Sequence, residues 1–155
     1  MPSSASSGIP GAPRSTAYRT GVALEAGASA ADVFTVESSH LATAFGSGDV
    51  EVLSTPQVLA WCEQMTVRAI NGQLEPGQTT VGMRMRIDHL SPSMVGGRVA
   101  VAARLTLVEG RRLTFDVSAR EGEREILSGQ VIRVIVTRDR FLDRVREITG
   151  SGDDA

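Results

Sequence analysis

A single change of hydrophobic period constrains this chain more than any other feature. Between Pro56 and Asn71, the residues Val58, Trp61, Cys62, Met65, Ala69 and Ile70 recur at helical spacing and form one broad apolar stripe. From Thr80 to Leu90 the period becomes two: Val81, Met83, Met85 and Ile87 alternate with Arg84, Arg86 and Asp88. Val99, Val101, Ala103, Leu105 and Leu107 repeat that alternation over Gly97 to Glu109. Gly110-Arg111 and Glu121-Gly122 are short turns into Leu113–Arg120 and a last long strand, Glu125–Thr137. Strands joined this way form an antiparallel meander. A helix of about sixteen residues spans ~24 Å, the length of a strand of about seven residues. One curved sheet can therefore wrap one helix.

The remaining elements follow from local signals. Asp32–Leu41 carries β-branched and aromatic residues and is expected to be a first strand. Phe45–Asp49 is a glycine-rich loop, and Val50–Leu53 a short extended piece. Ser54-Thr55-Pro56-Gln57 is a helix start, because proline in the first turn loses no hydrogen bond. Asn71-Gly72 suits the left-handed backbone that closes a helix. Arg138–Ile148 is a short helix with Phe141, Leu142, Val145 and Ile148 along its apolar edge. The expected fold class is α+β, in the order β-α-β-β-β-β with a short C-terminal helix. Such a layer leaves a sheet edge or face that invites dimerisation.

At 155 residues the chain is expected to hold one domain, residues 31–148. Residues 1–30, rich in Ser, Ala, Gly and Pro at their start, form a disordered or peripheral leader, and 149–155 a flexible tail. No apolar run reaches the ~18 residues of a membrane-spanning helix, so no membrane partner is expected. The formal net charge of −2 argues against a nucleic-acid partner. One cysteine argues against a disulfide framework and fits a reducing cytoplasm. With two histidines and one cysteine, a Cys/His zinc site is nearly excluded by count, and neither a metal nor a cofactor is expected.

Few residues are then left to carry chemistry. Thr55 at the helix start, Glu63 two turns along it and His89 at the end of the next strand supply a hydroxyl, a carboxylate and an imidazole. These groups suffice to hydrolyse an activated acyl group. Each has a structural alternative. Thr55 could simply cap the helix, worth about 1 kcal/mol. Ser54 could equally be the cap, with Gln57 closing a capping box and Thr55 left free. Glu63 would ordinarily be solvated, but Trp61, Cys62 and Met65 around it are apolar. A lone strand histidine is more often structural, and His40 is read that way. Cys62 falls on the apolar stripe, away from nucleophilic use. Gly46-Ser47-Gly48 lacks the lysine and the strand–loop–helix context of a phosphate loop, and is read as an entrance loop. Arg111-Arg112 forms a hairpin shoulder, with contact to a CoA phosphate as the second reading.

Several runs together resemble the fluoroacetyl-CoA-thioesterase-like branch of the hotdog-fold superfamily. They are Thr43-Ala44-Phe45-Gly46-Ser47-Gly48-Asp49, Val52-Leu53-Ser54-Thr55-Pro56, and Glu63 on the helix. Leu74-Glu75-Pro76-Gly77-Gln78-Thr79-Thr80-Val81-Gly82, Ile87-Asp88-His89-Leu90, Val108-Glu109-Gly110-Arg111-Arg112-Leu113 and Ser128-Gly129 extend the match, which runs from Phe34 to Val145. The resemblance implies a homodimeric acyl-CoA thioesterase, with pairing of dimers left open. It implies Thr55, Glu63 and His89 as the catalytic set, with either Glu63 or Thr55 as nucleophile. Gly82 would approach the thioester carbonyl, and Gly48 and Arg112 would complete the substrate contacts. The branch resembles a lidded pocket with phenylalanines before the helix-start threonine, whereas this chain has Gly46-Ser47-Gly48-Asp49. A general short-acyl thioesterase is therefore expected. The rivals are a non-catalytic acyl-CoA-binding module and a hydratase-like enzyme on the same fold.

Overall fold

The computed structural model describes residues 23–150, so the expectations for 1–22 and 151–155 lie outside the described residues. Five strands form one antiparallel sheet: β1 (Ser29–Thr35), β2 (Gln78–His89), β3 (Arg98–Glu109), β4 (Arg112–Glu121) and β5 (Arg124–Thr137). The spatial order is β1-β3-β4-β5-β2, which makes β1 and β2 the two edges. Helix α1 (Ala42–Phe45) is a single turn, α2 (Thr55–Ala69) is the long helix, and α3 (Arg138–Gly150) follows β5 directly. None of these helices is long and apolar enough to cross a membrane.

The expected stripe on α2 is the core-facing one. Val58, Trp61, Cys62, Met65 and Ala69 are buried against Val99, Val101, Ala103 and Leu105 of β3 and Leu113, Phe115 and Val117 of β4. Each fully buried Val or Leu contributes about 1.5–3 kcal/mol, so this layer holds the helix in place. Trp61 also stacks on Phe34 of β1, with centroids 4.7 Å apart and planes at 9°. Thr66, the polar exception on that face, donates its hydroxyl to the Glu63 carbonyl at 2.6 Å. Past the helix, Gly72 has φ +76, the left-handed geometry expected of Asn71-Gly72.

Three sequence expectations change. The first strand ends at Thr35 rather than Leu41, because Glu37 and His40 fold Ser38–His40 into a 3-10 turn. The His40 ring accepts the Glu37 amide at 3.0 Å, and such local bonds compete with the sheet ladder. Phe45 closes α1 rather than opening a loop, with Gly46 as its left-handed cap. The strict alternation also breaks twice. A bulge between Gly82 and Arg84 turns Met83 out of the core face, and another between Leu105 and Leu107 does the same to Leu107. Their exposures of 45% and 47% follow from those extra residues.

β5 lies close to the β2 edge at Gly129. A Cβ there would run into the Arg86 carbonyl and Ile87 of β2, so only glycine permits this approach.

Candidate functional site

Ser54, not Thr55, caps α2. The buried Ser54 hydroxyl accepts the Gln57 amide at 3.2 Å, which satisfies one of the free donors of the first turn. The Thr55 hydroxyl is thereby released, and it lies 2.7 Å from His89 Nδ1 on the end of β2. The other ring nitrogen, Nε2, is buried with no hydrogen-bond partner among the described residues. Burial pushes the His89 pKa below the ordinary histidine value, with the Ser91 backbone pulling weakly the other way. The imidazole is therefore neutral at pH 7, with Nδ1 placed to accept the Thr55 proton and Nε2 to donate.

Thr55 and His89 open onto a pocket of about 360 Å³. Its rim is Ser47, Gly48, Asp49 and Val50, with Val52 and Ala42 behind them. Small and polar side chains thus surround the entrance, and Gly48 belongs to it.

Glu63 sits elsewhere. Its carboxylate lies 3.5 Å from the Arg133 guanidinium on β5. Arg133 is almost wholly buried, with 7% of its side chain exposed against 38% for Glu63. Arg133 Nε donates to the Thr80 hydroxyl at 2.9 Å and its terminal nitrogen to the Thr80 carbonyl at 3.0 Å. Burial lowers the Arg133 pKa while Glu63 opposes that shift; a guanidinium nonetheless stays charged in a protein. Gly82 lines the same spot, where even a methyl group would come within 3.5 Å of the Glu63 carboxylate.

The structure thus joins Thr55 to His89, and Glu63 to Gly82, but it does not join the two pairs. Thr55 and Glu63 are eight positions apart on α2, about 12 Å along its axis. His89 and Gly82 are seven apart on β2, roughly 20 Å. Arg112 stands apart from both, on a groove with Met83, Glu109, Arg111 and Val134. Cys62 is fully buried, its thiol pushed up to about 12 by desolvation, and takes no part. His40 packs edge-on against Trp61 at 5.1 Å.

Arg133 and Thr80 are the residues that sequence reasoning missed. The available signal was an arginine inside the apolar run Val131-Ile132-Arg133-Val134-Ile135. A charge at the centre of a buried strand needs a partner.

Comparison with known proteins places these residues in context. The model of a family described as FlK, fluoroacetyl-CoA-specific thioesterase, matches residues 36–139. The fluoroacetyl-CoA thioesterase of Streptantibioticus cattleyicolor is 37% identical over 102 residues, 66% of this chain and 73% of that protein. A solved structure of the fluoroacetyl-CoA thioesterase FlK superposes with a TM-score of 0.73 at 30% identity, covering 80% of this chain and 96% of that one. A Thermus thermophilus thioesterase superfamily member reaches 0.78 at 22% identity over 84% and 97% of the two chains, a likeness of fold alone.

Proposed function

The chain belongs to the fluoroacetyl-CoA-specific thioesterase family, and we propose that its catalytic centre is assembled between two protomers. It is a hotdog-fold acyl-CoA thioesterase, hydrolysing a small acyl-CoA to the free acid and CoA. The observation that carries the two-protomer reading is the separation of the Thr55–His89 pair from the Glu63–Gly82–Arg133 group within one chain.

An antiparallel pairing of two β2 edges closes that gap. β2 is an edge strand of twelve residues, with its outer hydrogen-bonding groups unpaired among the described residues. If two copies pair with Arg86 opposite the partner's Arg86, the bulged step at Gly82–Met83 lies opposite the partner's His89. Residues facing each other across an antiparallel pair point to the same side of the sheet. Gly82 faces Glu63 and His89 faces Thr55, both on the helix side, so the register places the two groups together. Two identical sites result, one at each end of the paired strands.

In each, Thr55 attacks the thioester carbonyl while His89 Nδ1 takes its proton. That proton then passes to the departing CoA thiolate. The partner's Glu63, held by the partner's Arg133, takes a proton from water as the water oxygen bonds to the acyl carbon of the Thr55 ester, and returns that proton to the Thr55 oxygen as the free acid leaves. Amide groups at the start of α2 and near Gly82 stabilise the oxyanion. The reaction needs neither metal nor cofactor. The lone buried cysteine fits a cytoplasmic enzyme.

Mixed dimers test the assembly. A verified heterodimer of Thr55→Ala and Glu63→Gln protomers contains one intact site and should recover about half of wild-type activity. No recovery means that each site is built within one chain. The pocket sharpens the substrate: among the described residues no Phe, Tyr or Trp lines it, and Phe45, which closes α1, is exposed and not among the lining residues. Fluoroacetyl-CoA and acetyl-CoA should therefore have kcat/KM values within about tenfold. A preference of several orders of magnitude for the fluorinated substrate would overturn that reading.

A further inference from the structure

We propose that Glu121, at the end of β4, is a positioning residue for the Thr55–His89 pair, acting through the strap of residues 90–97 that follows β2. This deepens the thioesterase reading and rests on it. His89 is the last residue of β2, and the strap begins at the next position. The Leu90 and Ser91 amides both donate to the Ile126 carbonyl of β5, at 2.8 Å and 3.4 Å. Further along, the Ser93 carbonyl accepts the Leu53 amide at 2.7 Å. Leu53 stands directly before Ser54, the cap of α2, which Thr55 follows. The short span from His89 to Ser93 therefore carries the imidazole at one end and the anchor of the hydroxyl at the other. The 2.7 Å contact between Thr55 and His89 is only as fixed as that span.

The clamp on that span comes from the β4–β5 hairpin. Ser93 is buried, and its hydroxyl donates to the Glu121 carboxylate at 3.0 Å. Arg124 donates to the same carboxylate oxygen and also to the Pro92 carbonyl. Glu121 and Arg124 face each other as the last rung of the β4–β5 ladder, so the clamp stands on the sheet. The other Glu121 oxygen fills the space above Gly97. A Cβ there would collide with it and with the Ser93 hydroxyl, so only glycine admits the carboxylate. The Gly97 carbonyl in turn accepts the Val36 amide, just past β1, at 2.8 Å. An exposed ion pair between neighbouring turn residues contributes little by itself. Here the carboxylate also satisfies a buried hydroxyl, and a buried donor without its acceptor is costly enough to move the chain that carries it. Glu121 touches no reacting atom. Its effect passes through Ser93 and Leu53 to Thr55, and a small misplacement of a reacting group slows a reaction strongly.

The test reads turnover and the His89 ring separately. Glu121→Ala should lower kcat for acetyl-CoA by about tenfold or more, with KM within about twofold of wild type. Ser93→Ala should do the same, and the double variant should lose no more than the worse single one, because both break one connection. Glu121→Gln keeps an acceptor for Ser93 and should restore kcat to within about threefold of wild type. NMR spectra of the nitrogen-labelled rings supply the second readout, since the chain has only two histidines. In Glu121→Ala and Ser93→Ala the His89 Nδ1 signal should move toward its position in Thr55→Ala, where its partner is gone. The His40 signals, set by the Glu37 amide, should stay as in wild type and report an intact fold. Wild-type kcat in a folded Glu121→Ala, no recovery in Glu121→Gln, or an unmoved His89 signal overturns the role. Movement of His40 and His89 together marks a general loss of structure and overturns it as well. If the wild-type protein hydrolyses no acyl-CoA, the thioesterase reading fails, and the His89 signal alone then decides whether Glu121 holds the pair.

Discussion

The two halves of the proposed catalytic centre are built by different means. The Thr55–His89 pair depends on neutral hydrogen bonds and on a local device, the Ser54 cap that leaves the next hydroxyl free. The Glu63–Arg133 pair depends on charge, and its anchor is a strand register seventy residues away in sequence. The neutral half sits where burial lowers a pKa and readies a base. The charged half places a half-exposed carboxylate on a buried, doubly anchored cation. An ester-forming step needs a neutral imidazole, and a water-activating step needs a fixed anion, so the contrast suits a division of labour.

The largest expected effect breaks the charged half alone. Glu63→Gln keeps the side chain's shape and removes the base, so turnover should fall by at least ~10²-fold. A folded Gln variant with near wild-type hydrolysis of its best substrate would remove Glu63 from the mechanism. The neutral half answers to pH instead. His89 must be unprotonated to accept from Thr55, and burial lowers its pKa, so activity should persist below pH ~6.5, where an ordinary imidazole protonates. The acid limb of kcat/KM against pH locates it, and a limb at or above the ordinary value would contradict the buried, neutral ring. The smallest effect is structural. Ser54→Ala removes the cap and should cost about 1 kcal/mol of stability, read as a lowered Tm. If Thr55 turns to take over the cap, activity falls as well, and the two losses together would show that the cap frees the nucleophile.

The same contrast explains what was legible in the sequence. The long helix, the meander and the pairing of a capping serine with a free threonine are written in neighbouring residues, and the structure agrees. Thr55 and His89 were recognisable because one marks a helix start and the other a strand end. Arg133 was not, because its meaning depends on facing Gly82 across β2 and β5, and register is a property of the whole sheet. The bulges at Met83 and Leu107 were hidden for a related reason: alternation continues through them on paper, and only pairing reveals the extra residue. The end of β1 was missed because Glu37 and His40 satisfy each other locally.

Gly129 carries a consequence for anyone hunting active-site residues by random mutation. It touches no reacting group, yet any side chain there would push β2 off β5 at Arg86 and Ile87. That stretch is the hinge point of the proposed strand pairing, so a bulky replacement would silence both catalytic centres of a dimer at once. In a screen for dead enzymes Gly129 would be scored beside Glu63, and only the elution volume of the purified variant would separate a lost reagent from a lost partner.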